Sequence, residues 1–217
     1  MSTAIVGTLV AASLGVSAAA TAATGGFSID DGRLVDANGV DFVPQGVNHA
    51  HAWYPDGLDS LADIRAAGAN SVRVVLSGGR WGQTSASEVQ TIIDECKANE
   101  LVCILEDHDT TGYGEDGAAT SLATAAQYWA SLAGVLEGEE EYVLINIGNE
   151  PYGNSGYQSW GQDTIAAIAT MRAAGIDHTL IADAPNWGQD WSGTMQSQAA
   201  TVAAADGNTM FSIHMYG

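Results

Sequence analysis

The chain runs YVLINIGNEP over residues 142–151, an apolar stretch that ends in Asn149, Glu150 and Pro151. A run of this length bounded by Gly and Pro is typical of a strand buried on both faces, as strands of parallel sheets are. A Glu at this point can also begin a helix or lie on the surface, but Pro151 fixes the backbone just where the chain leaves the strand. The stretch therefore predicts a buried parallel strand that presents a carboxylate at its C-terminal end.

The alternation of strand and helix extends from this stretch in both directions. After a short hairpin within residues 27–36, strand-like apolar runs lie at residues 42–47, 71–76, 101–105, 142–147, 179–182 and 210–213. Helical patterns lie between them at residues 58–67, 86–99, 121–136, 157–174 and 192–205. Strands that alternate with helices predict a parallel sheet, and no long linker interrupts the series, which predicts one domain.

Polar side chains gather at the C-terminal ends of these predicted strands. Four of the five histidines lie there, and only His178 lies in a loop at the other end. An open doubly wound sheet collects its active groups at one switch point, whereas a barrel takes them from all its strand ends. No Gly-rich phosphate loop follows the first strand. The sequence therefore predicts an α/β fold, a (β/α)8 TIM barrel with a short N-terminal hairpin, over residues 24–217.

Arg73 lies inside the predicted strand at residues 71–76, which reads SVRVVL. Both faces of a parallel strand are covered, and an isolated buried cation is prohibitively costly. The alternative, an Arg on an exposed face of the strand, is disfavoured for the same reason. The position therefore predicts a carboxylate partner for Arg73 inside the barrel.

The charge of the chain excludes one large class of function. Five Arg and Lys97 stand against 26 acidic residues, for a net charge of −20. Such a chain cannot bind nucleic acid through phosphate contacts, which require clustered basic side chains. An acidic surface favours solvation, and we take adaptation to salt as a hypothesis that a salt-dependent stability would support.

Residues 1–23 are predicted to be a signal peptide or leader. Residues 5–23 are apolar and Ala-rich and end in small residues, as a secretory signal does, although no basic residue precedes Arg33. This pattern predicts a secreted, extracellular protein. Cys96 and Cys103 fit either a disulfide of an exported protein or two buried thiols, and their spacing matches no common zinc pattern.

Five phrases of the chain resemble glycoside hydrolase family 5, and within it the secreted bacterial β-mannanases. They are GVNH with WY at residues 46–54, NSVR at 70–73, HDTTGY at 108–113, IGNEP at 147–151 and SIHMY at 212–216. The resemblance covers residues 27–217. The Asn-Glu-Pro and His-any-Tyr elements are common to the whole family, and the HDTTGY run points to its mannanase branch.

The resemblance implies a retaining, endo-acting hydrolysis of β-1,4-linked mannan, which needs no cofactor and no metal ion. Glu150 is then the acid/base, and Asn149 holds the 2-hydroxyl of the sugar. Arg73, His214 and Tyr216 are expected to surround the nucleophile and tune its charge. These five residues form the expected catalytic set.

The same resemblance implies a second set of residues that bind the polysaccharide. His49, Trp53, His108 and Trp187 are expected to line the sugar subsites, the indole of Trp187 giving a flat face to a pyranose ring. The expected partner is a β-mannan or a related β-1,4-glycan. We expect a monomer with neither a nucleic acid nor a membrane as partner.

The chain departs from the family pattern in one respect. The nucleophile is expected to be a second Glu at the end of a seventh strand, and predicted strands begin about 30 to 40 residues apart, which places that strand beyond Gly217. Glu106 is the one candidate on a neighbouring strand end, and we expect it not to serve. The sequence therefore predicts a barrel truncated after its sixth strand, which on its own is inactive and poorly folded.

Three other functions are compatible with these residues. A β-1,4-glucanase would use the same machinery, because glucose and mannose differ at one hydroxyl. A metal-dependent barrel of the amidohydrolase type would use His49, His51 and His214, but the lysine and histidine expected after its fourth and fifth strands are replaced by Asn149-Glu150 and Asp183. A non-catalytic carbohydrate-binding protein would use the aromatic loops alone.

Overall fold

The chain begins with an antiparallel hairpin in the computed structural model, which describes residues 25–216. Strands β1 (Ser28–Asp30) and β2 (Arg33–Val35) form it. The turn between them places Asp31 and Gly32 at φ 47° and 74°, the left-handed conformations that a type I′ turn needs. The predicted hairpin is confirmed, whereas the predicted leader lies outside the described residues.

Six parallel strands form a separate sheet. They are β3 (Gly46–His49), β4 (Ser71–Leu76), β5 (Val102–Asp107), β6 (Val143–Asn146), β7 (Leu180–Asp183) and β8 (Thr209–Ser212). Each strand pairs with the next one along the chain, so the order is β3-β4-β5-β6-β7-β8. A doubly wound sheet reverses its order at a switch point, whereas a barrel adds each strand beside the preceding one. The strand order is therefore that of the predicted barrel.

Six α-helices occur within residues 25–216. They are α1 (Ser60–Ala66), α2 (Ala86–Ala98), α3 (Leu122–Ser131), α4 (Ala133–Leu136), α5 (Trp160–Ala173) and α6 (Thr194–Ala205). In α2, Ser85 and Glu88 form a reciprocal capping box, and the buried side chains recur at helical spacing. Within the described part of the chain, none of the helices has the length and apolar character to cross a membrane.

The first strand of the parallel sheet begins later than the apolar pattern predicts. It starts at Gly46 and not at position 42, because Pro44 interrupts the run and has no N–H to donate to a neighbouring strand. Phe42 instead packs edge-to-face against Phe27, with ring centroids 5.1 Å apart. This aromatic pair holds the segment before β3 against the hairpin.

The helix predicted over residues 121–136 is wrong in one respect, because it divides at Leu132 into α3 and α4. The Leu132 N–H donates to the Trp129 carbonyl at 2.9 Å, a bond to the third preceding residue that tightens the turn. The indole Nε1 of Trp129 donates to the Ile147 carbonyl at 2.9 Å. The last turn of α3 is thereby attached to the chain just after β6.

Alternation along β6 and β7 divides their side chains between two faces of the sheet. One face packs against the helices in the main core. On the other face, Leu144 and Ile181 pack against Phe27 of the hairpin. Asn146 and Asp183 lie two residues further along the same strands and so share this second face. The hairpin packs against the N-terminal part of this face, and polar side chains take the C-terminal part.

The two cysteines lie in the main core. Cys96 on α2 and Cys103 on β5 are free and fully buried. Of the two alternatives that the sequence leaves open, the structure has the pair of buried thiols. Burial raises the pKa of the Cys103 thiol, so the side chain stays neutral and packs as a small apolar group.

Candidate active site

Arg73 is the centre of a polar cluster at the C-terminal ends of the strands. Its guanidinium donates to Asn146 Oδ1 at 2.6 and 3.1 Å and to Asn149 Oδ1 at 2.9 Å. Carboxylate oxygens of Glu106 and Asp183 each lie 3.4 Å from its nitrogens. The predicted carboxylate partner of Arg73 is therefore confirmed, and it is a pair of carboxylates contributed by β5 and β7.

Asn149 is fixed in one orientation by its neighbours. Its side-chain oxygen accepts from Arg73, and its Nδ2 donates to Thr111 Oγ1 at 2.8 Å. Its carbonyl accepts from Thr110 Oγ1 at 2.6 Å, and its N–H donates to the Asp107 carbonyl at 2.9 Å. The segment after β5 thus holds the turn that carries Glu150.

Glu150 has a left-handed backbone, with φ of 41°. This conformation is uncommon for a residue with a side chain, and it persists only where the surroundings enforce it. The Glu150 N–H donates to Asp183 Oδ2 at 3.3 Å, and its carbonyl accepts from the Gly112 N–H at 3.3 Å. The turn directs the buried carboxylate towards β8, where Oε1 lies 2.7 Å from His214 Nδ1 and accepts a hydrogen bond from the Tyr216 hydroxyl.

His214 bridges two carboxylates. Its Nδ1 contacts Glu150, and its Nε2 lies 2.9 Å from Asp183 Oδ2. Burial lowers the pKa of the imidazole, but the hydrogen bonds to Asp183 and Glu150 outweigh burial and raise the pKa to about 9. At neutral pH the ring is therefore an imidazolium that donates from both nitrogens.

Asp183 and Tyr216 keep the protonation states that match this imidazolium. Burial works to raise the pKa of Asp183, but the hydrogen bond from His214 and the charge of Arg73 place it below its usual range. The hydrogen bond to Glu150, together with burial, raises the pKa of Tyr216 to about 12. The carboxylate of Glu150 therefore faces two hydrogen-bond donors, an imidazolium and a phenol.

Three aromatic rings lie together beside this cluster. The ring centroids of Trp53, Trp81 and His108 are 5.1 to 5.4 Å apart, and Trp53 is 42% exposed. His108 Nδ1 lies 2.9 Å from Glu106 Oε1, and the other oxygen of Glu106 faces Arg73. The structure thus links two of the predicted binding residues, Trp53 and His108, to the Arg73 cluster.

Trp187 is held beside the turn of Glu150. Its backbone has φ of 56°, and its N–H donates to the Tyr152 carbonyl at 3.1 Å. Its Nε1 donates to Glu115 Oε2 at 3.1 Å. The indole lies so close to Gly112 that a Cβ at that position would come within 2.4 Å of Cη2. Gly112 itself donates to the Glu150 carbonyl, so the Trp187 ring and the backbone of Glu150 both contact this residue.

His49, the fourth predicted binding residue, lies elsewhere. Its ring is buried, its Nδ1 is 3.3 Å from Ser60 Oγ of α1, and its centroid is 5.8 Å from that of His51. Burial lowers the pKa of His49, so the ring is neutral. The structure brings His49 to α1 and not to the Arg73 cluster, and a role in sugar binding stays a prediction.

Asp183, Asn146 and Trp81 have no predicted role in the site, and Glu106 is considered from the sequence only as a nucleophile that is expected not to serve. Asn146 and Asp183 each stand in or directly after an apolar strand, as Arg73 does, and a polar residue there needs a buried partner. That signal was available for both residues. Within residues 25–216, no group of three or more His, Cys, Asp or Glu side chains is arranged to hold a metal ion.

Comparisons with known proteins match the chain to a family model and to relatives of high identity. A family model described as Cellulase (glycosyl hydrolase family 5) matches residues 35–217. The chain is 56% identical over 221 residues to a Mannan endo-1,4-beta-mannosidase of Streptomyces lividans, which covers all of this chain and 57% of that enzyme. It is 53% identical over 204 residues to a Beta-mannanase/endoglucanase A of Caldicellulosiruptor saccharolyticus, covering 92% of this chain and 15% of that protein.

The solved structure of a β-mannanase from Thermomonospora fusca superposes on the chain with a TM-score of 0.87 at 56% identity, over 88% of this chain and 65% of that one. The same enzyme has been solved as mannotriose and mannohexaose complexes. This likeness, with the sequential strand order, confirms the predicted barrel architecture for the six strands described. The chain spans between half and two thirds of the length of these two mannanases.

Proposed function

The chain belongs to glycosyl hydrolase family 5, and on that premise we propose that it hydrolyses internal bonds of β-1,4-linked mannan, with Glu150 as the acid/base. The observation that carries the proposal is the burial of the Glu150 carboxylate and its contacts with two hydrogen-bond donors. It is buried at the end of β6, and it accepts from His214 and from Tyr216. A glycosidase acid must lose and regain a proton within one cycle, and the two donors stabilise the carboxylate that is present between the two steps.

In the proposed reaction Glu150 first protonates the glycosidic oxygen of the leaving sugar. It then accepts a proton from the water that releases the second product, as microscopic reversibility requires in a retaining enzyme. His214 and Tyr216, which the family resemblance assigns to the surroundings of the nucleophile, contact Glu150 among the described residues and stabilise its carboxylate between the two steps. Their contact with the nucleophile stays a prediction. Asn149, held between Arg73 and Thr111, contacts the 2-hydroxyl of the sugar.

A retaining mechanism also needs a nucleophilic carboxylate, roughly 5 to 5.5 Å from the acid. Glu106 is a poor candidate because it is fully buried and engaged by Arg73 and His108. Asp183 is equally buried and is engaged by His214. The proposal therefore takes the nucleophile from outside residues 25–216.

Mannan is the proposed substrate because the Streptomyces lividans relative is named for it and the Thermomonospora fusca enzyme has been solved with mannooligosaccharides. A β-1,4-glucan is the second candidate, since the Caldicellulosiruptor saccharolyticus relative is also named endoglucanase. Initial rates on linear mannan and on carboxymethylcellulose distinguish the two. A higher rate on the cellulose derivative would replace mannan as substrate.

Replacement of Glu150 by Gln, in a protein that also contains the nucleophilic carboxylate, tests the catalytic assignment. Gln retains the size and polarity of the side chain but cannot donate a proton as an acid does, so mannan hydrolysis should fall by about 10³-fold with the unfolding temperature little changed. Glu139→Gln is the matched control, because Glu139 pairs with Lys97 away from the site and its replacement should leave the rate within twofold. Retention of more than a tenth of the activity by Glu150→Gln would remove Glu150 from the mechanism.

Export is also part of the proposal. It is supported by the apolar, small-residue pattern of residues 5–23, which resembles a secretory signal. A monomer is proposed as well, because a soluble polysaccharide hydrolase of one domain needs no partner chain. The N-terminal residue of the protein recovered from the culture medium tests export, and light scattering tests the monomer.

A further inference from the structure

Trp191 is an exposed indole that the proposed chemistry does not use. It lies between β7 and α6 and is 63% exposed, which leaves about 150 Å² of ring surface open to solvent. Its Nε1 donates to Asn154 Oδ1 at 2.7 Å. Its ring meets that of Tyr157 edge-to-face, with centroids 5.9 Å apart. We call Trp191, Asn154 and Tyr157 the Trp191 platform.

Hydrogen bonds of Asp190 hold the loop around Trp191. Asp190 has φ of 50°, and its carboxylate accepts from the N–H groups of Met195 and Gln196 in the first turn of α6, at 2.7 and 2.9 Å. The Asp190 N–H donates to the Pro185 carbonyl at 3.0 Å. The indole is thus oriented before any ligand arrives, so a ligand that stacks on it does not have to order the loop.

The platform lies at the rim of the candidate active site. Trp191 follows Trp187 on the same loop, and the Gly188 carbonyl between them accepts the His214 N–H at 2.8 Å. Asn154 comes four residues after Glu150 on the neighbouring loop. The platform therefore joins the loops after β6 and β7, which also carry Glu150 and Trp187.

The area of the platform decides what kind of ligand it fits. A protein partner buries about 800 Å² on each side of a standard interface, several times what one indole exposes. A single pyranose ring has an apolar face of C–H groups that matches one indole. The net charge of −20 disfavours a polyanionic ligand and has no effect on a neutral glycan.

We propose that Trp191 stacks on a sugar ring of the mannan chain outside the catalytic cleft and so holds the polymer on the enzyme. The inference rests on the proposed function, because it takes the polysaccharide of the active site as its ligand. Asn154 fixes the indole, and Tyr157 supports its edge. A long chain reaches both the cleft and the platform, whereas a trisaccharide occupies the cleft alone.

The test measures binding in a Glu150→Gln background, which stops hydrolysis. Migration through gels with and without linear mannan gives the affinity for polymer, and calorimetry gives the affinity for mannotriose. Trp191→Ala should weaken polymer binding about tenfold and leave mannotriose binding within twofold. Trp191→Phe, which retains a flat ring, should keep at least a third of the polymer affinity.

Tyr142→Ala is the control, because Tyr142 is a partly exposed aromatic residue at the opposite end of β6, under Lys97. It should not change migration in mannan. Equal retardation of Trp191→Ala and its parent would overturn the platform alone, and so would an equal loss on mannotriose. If the parent itself is not retarded by mannan, the proposed function fails together with the platform.

Discussion

His214 illustrates how single residues set the chemistry of the site. Carboxylates of Glu150 and Asp183 face the two nitrogens of its ring, at 2.7 and 2.9 Å. Either carboxylate alone would stabilise a cation at this position, and together they overcome the cost of burial. The consequence is a fixed positive charge beside the proposed acid/base at neutral pH.

The titration of His214 tests this arrangement directly. The pKa of His214 is raised to about 9 from its ordinary value of 6.5, so its ion pairs stabilise the fold fully below about pH 6.5 and this contribution is lost as the pH rises through about 9. Asp183→Asn removes one carboxylate and should lower the midpoint by at least one pH unit. Histidine NMR signals recorded from pH 5 to 10 give the midpoint.

His178 is an internal control in the same spectra. Burial lowers the pKa of His178 to about 4, and the ring lies in the loop before β7, at the other end of the sheet from the site. Asp183→Asn should leave its signal unchanged between pH 5 and 10. A His214 midpoint that stays near 9 in this variant would show that Asp183 does not hold the proton there.

Among the strands and helices, those with an uninterrupted hydrophobic pattern are the ones that the sequence predicts correctly. The strand Ser71–Leu76 and the start of α2 are predicted correctly because their patterns are uninterrupted and, for α2, because Ser85 and Glu88 mark the start. The start of β3 is missed because the apolar run continues through Pro44 into the contact of Phe42 with the hairpin. The strand propensity of a segment cannot predict its contacts with residues that are distant in the sequence.

In the candidate site, too, some features could be predicted from the sequence and others depend on the fold. Arg73 could be predicted to need a carboxylate, because burial of a charge imposes that requirement wherever the strand lies. The identity of its partners, Glu106 and Asp183, depends on the registers of three strands and could not be read from spacing. The bridge from His214 to Asp183 likewise joins the segment after β8 to the end of β7, and only the fold determines their relative position.

The loop after β5 offers a test of how an element positions the aromatic wall. Gly112 has φ of 76°, and a Cβ there would come 2.4 Å from the Trp187 ring. Gly112→Ala should therefore displace the indole and destabilise the fold by about 1–2 kcal/mol, since both the backbone and the contact are strained. Thermal unfolding should show a loss of roughly 2–8 °C, and mannotriose should bind more weakly.

Gly117→Ala is the matched control for this loop. A Cβ at Gly117 would meet no atom within 4 Å, and Gly117 is not among the residues with positive φ. Its replacement should leave both stability and mannotriose affinity close to those of the parent. Identical behaviour of the two variants would mean that the loop adapts and that Gly112 does not orient Trp187.

At the scale of the whole molecule, the parallel sheet has β3 and β8 as its outer strands among the described residues. Val47 on β3 is more than half exposed, and an exposed apolar edge strand favours pairing with other chains. The expectation that residues 24–217 alone fold poorly stays a prediction. The chain is also strongly acidic, with a net charge of −20, and repulsion between its carboxylates affects the whole molecule.

The charge distribution predicts that salt stabilises the fold. All six basic residues are already in ion pairs with carboxylates, so most of the 26 acidic residues repel one another without compensation. The screening length falls from about 30 Å at 0.01 M salt to about 3 Å at 1 M, which weakens this long-range repulsion more than the few short ion pairs. We expect a gain of about 2 kcal/mol, or roughly 4–8 °C in unfolding temperature, between 0.01 and 1 M NaCl.

A charge variant separates screening from a general effect of salt on apolar burial. Neutral amides replace four exposed carboxylates in it, namely Asp31, Glu95, Glu137 and Glu141. Because repulsion grows with net charge, this variant should be more stable than the parent at low salt and should gain less from added NaCl. An unfolding temperature that is flat or falls with salt in the parent would contradict the electrostatic account, and an equal gain in both proteins would assign the effect to apolar burial.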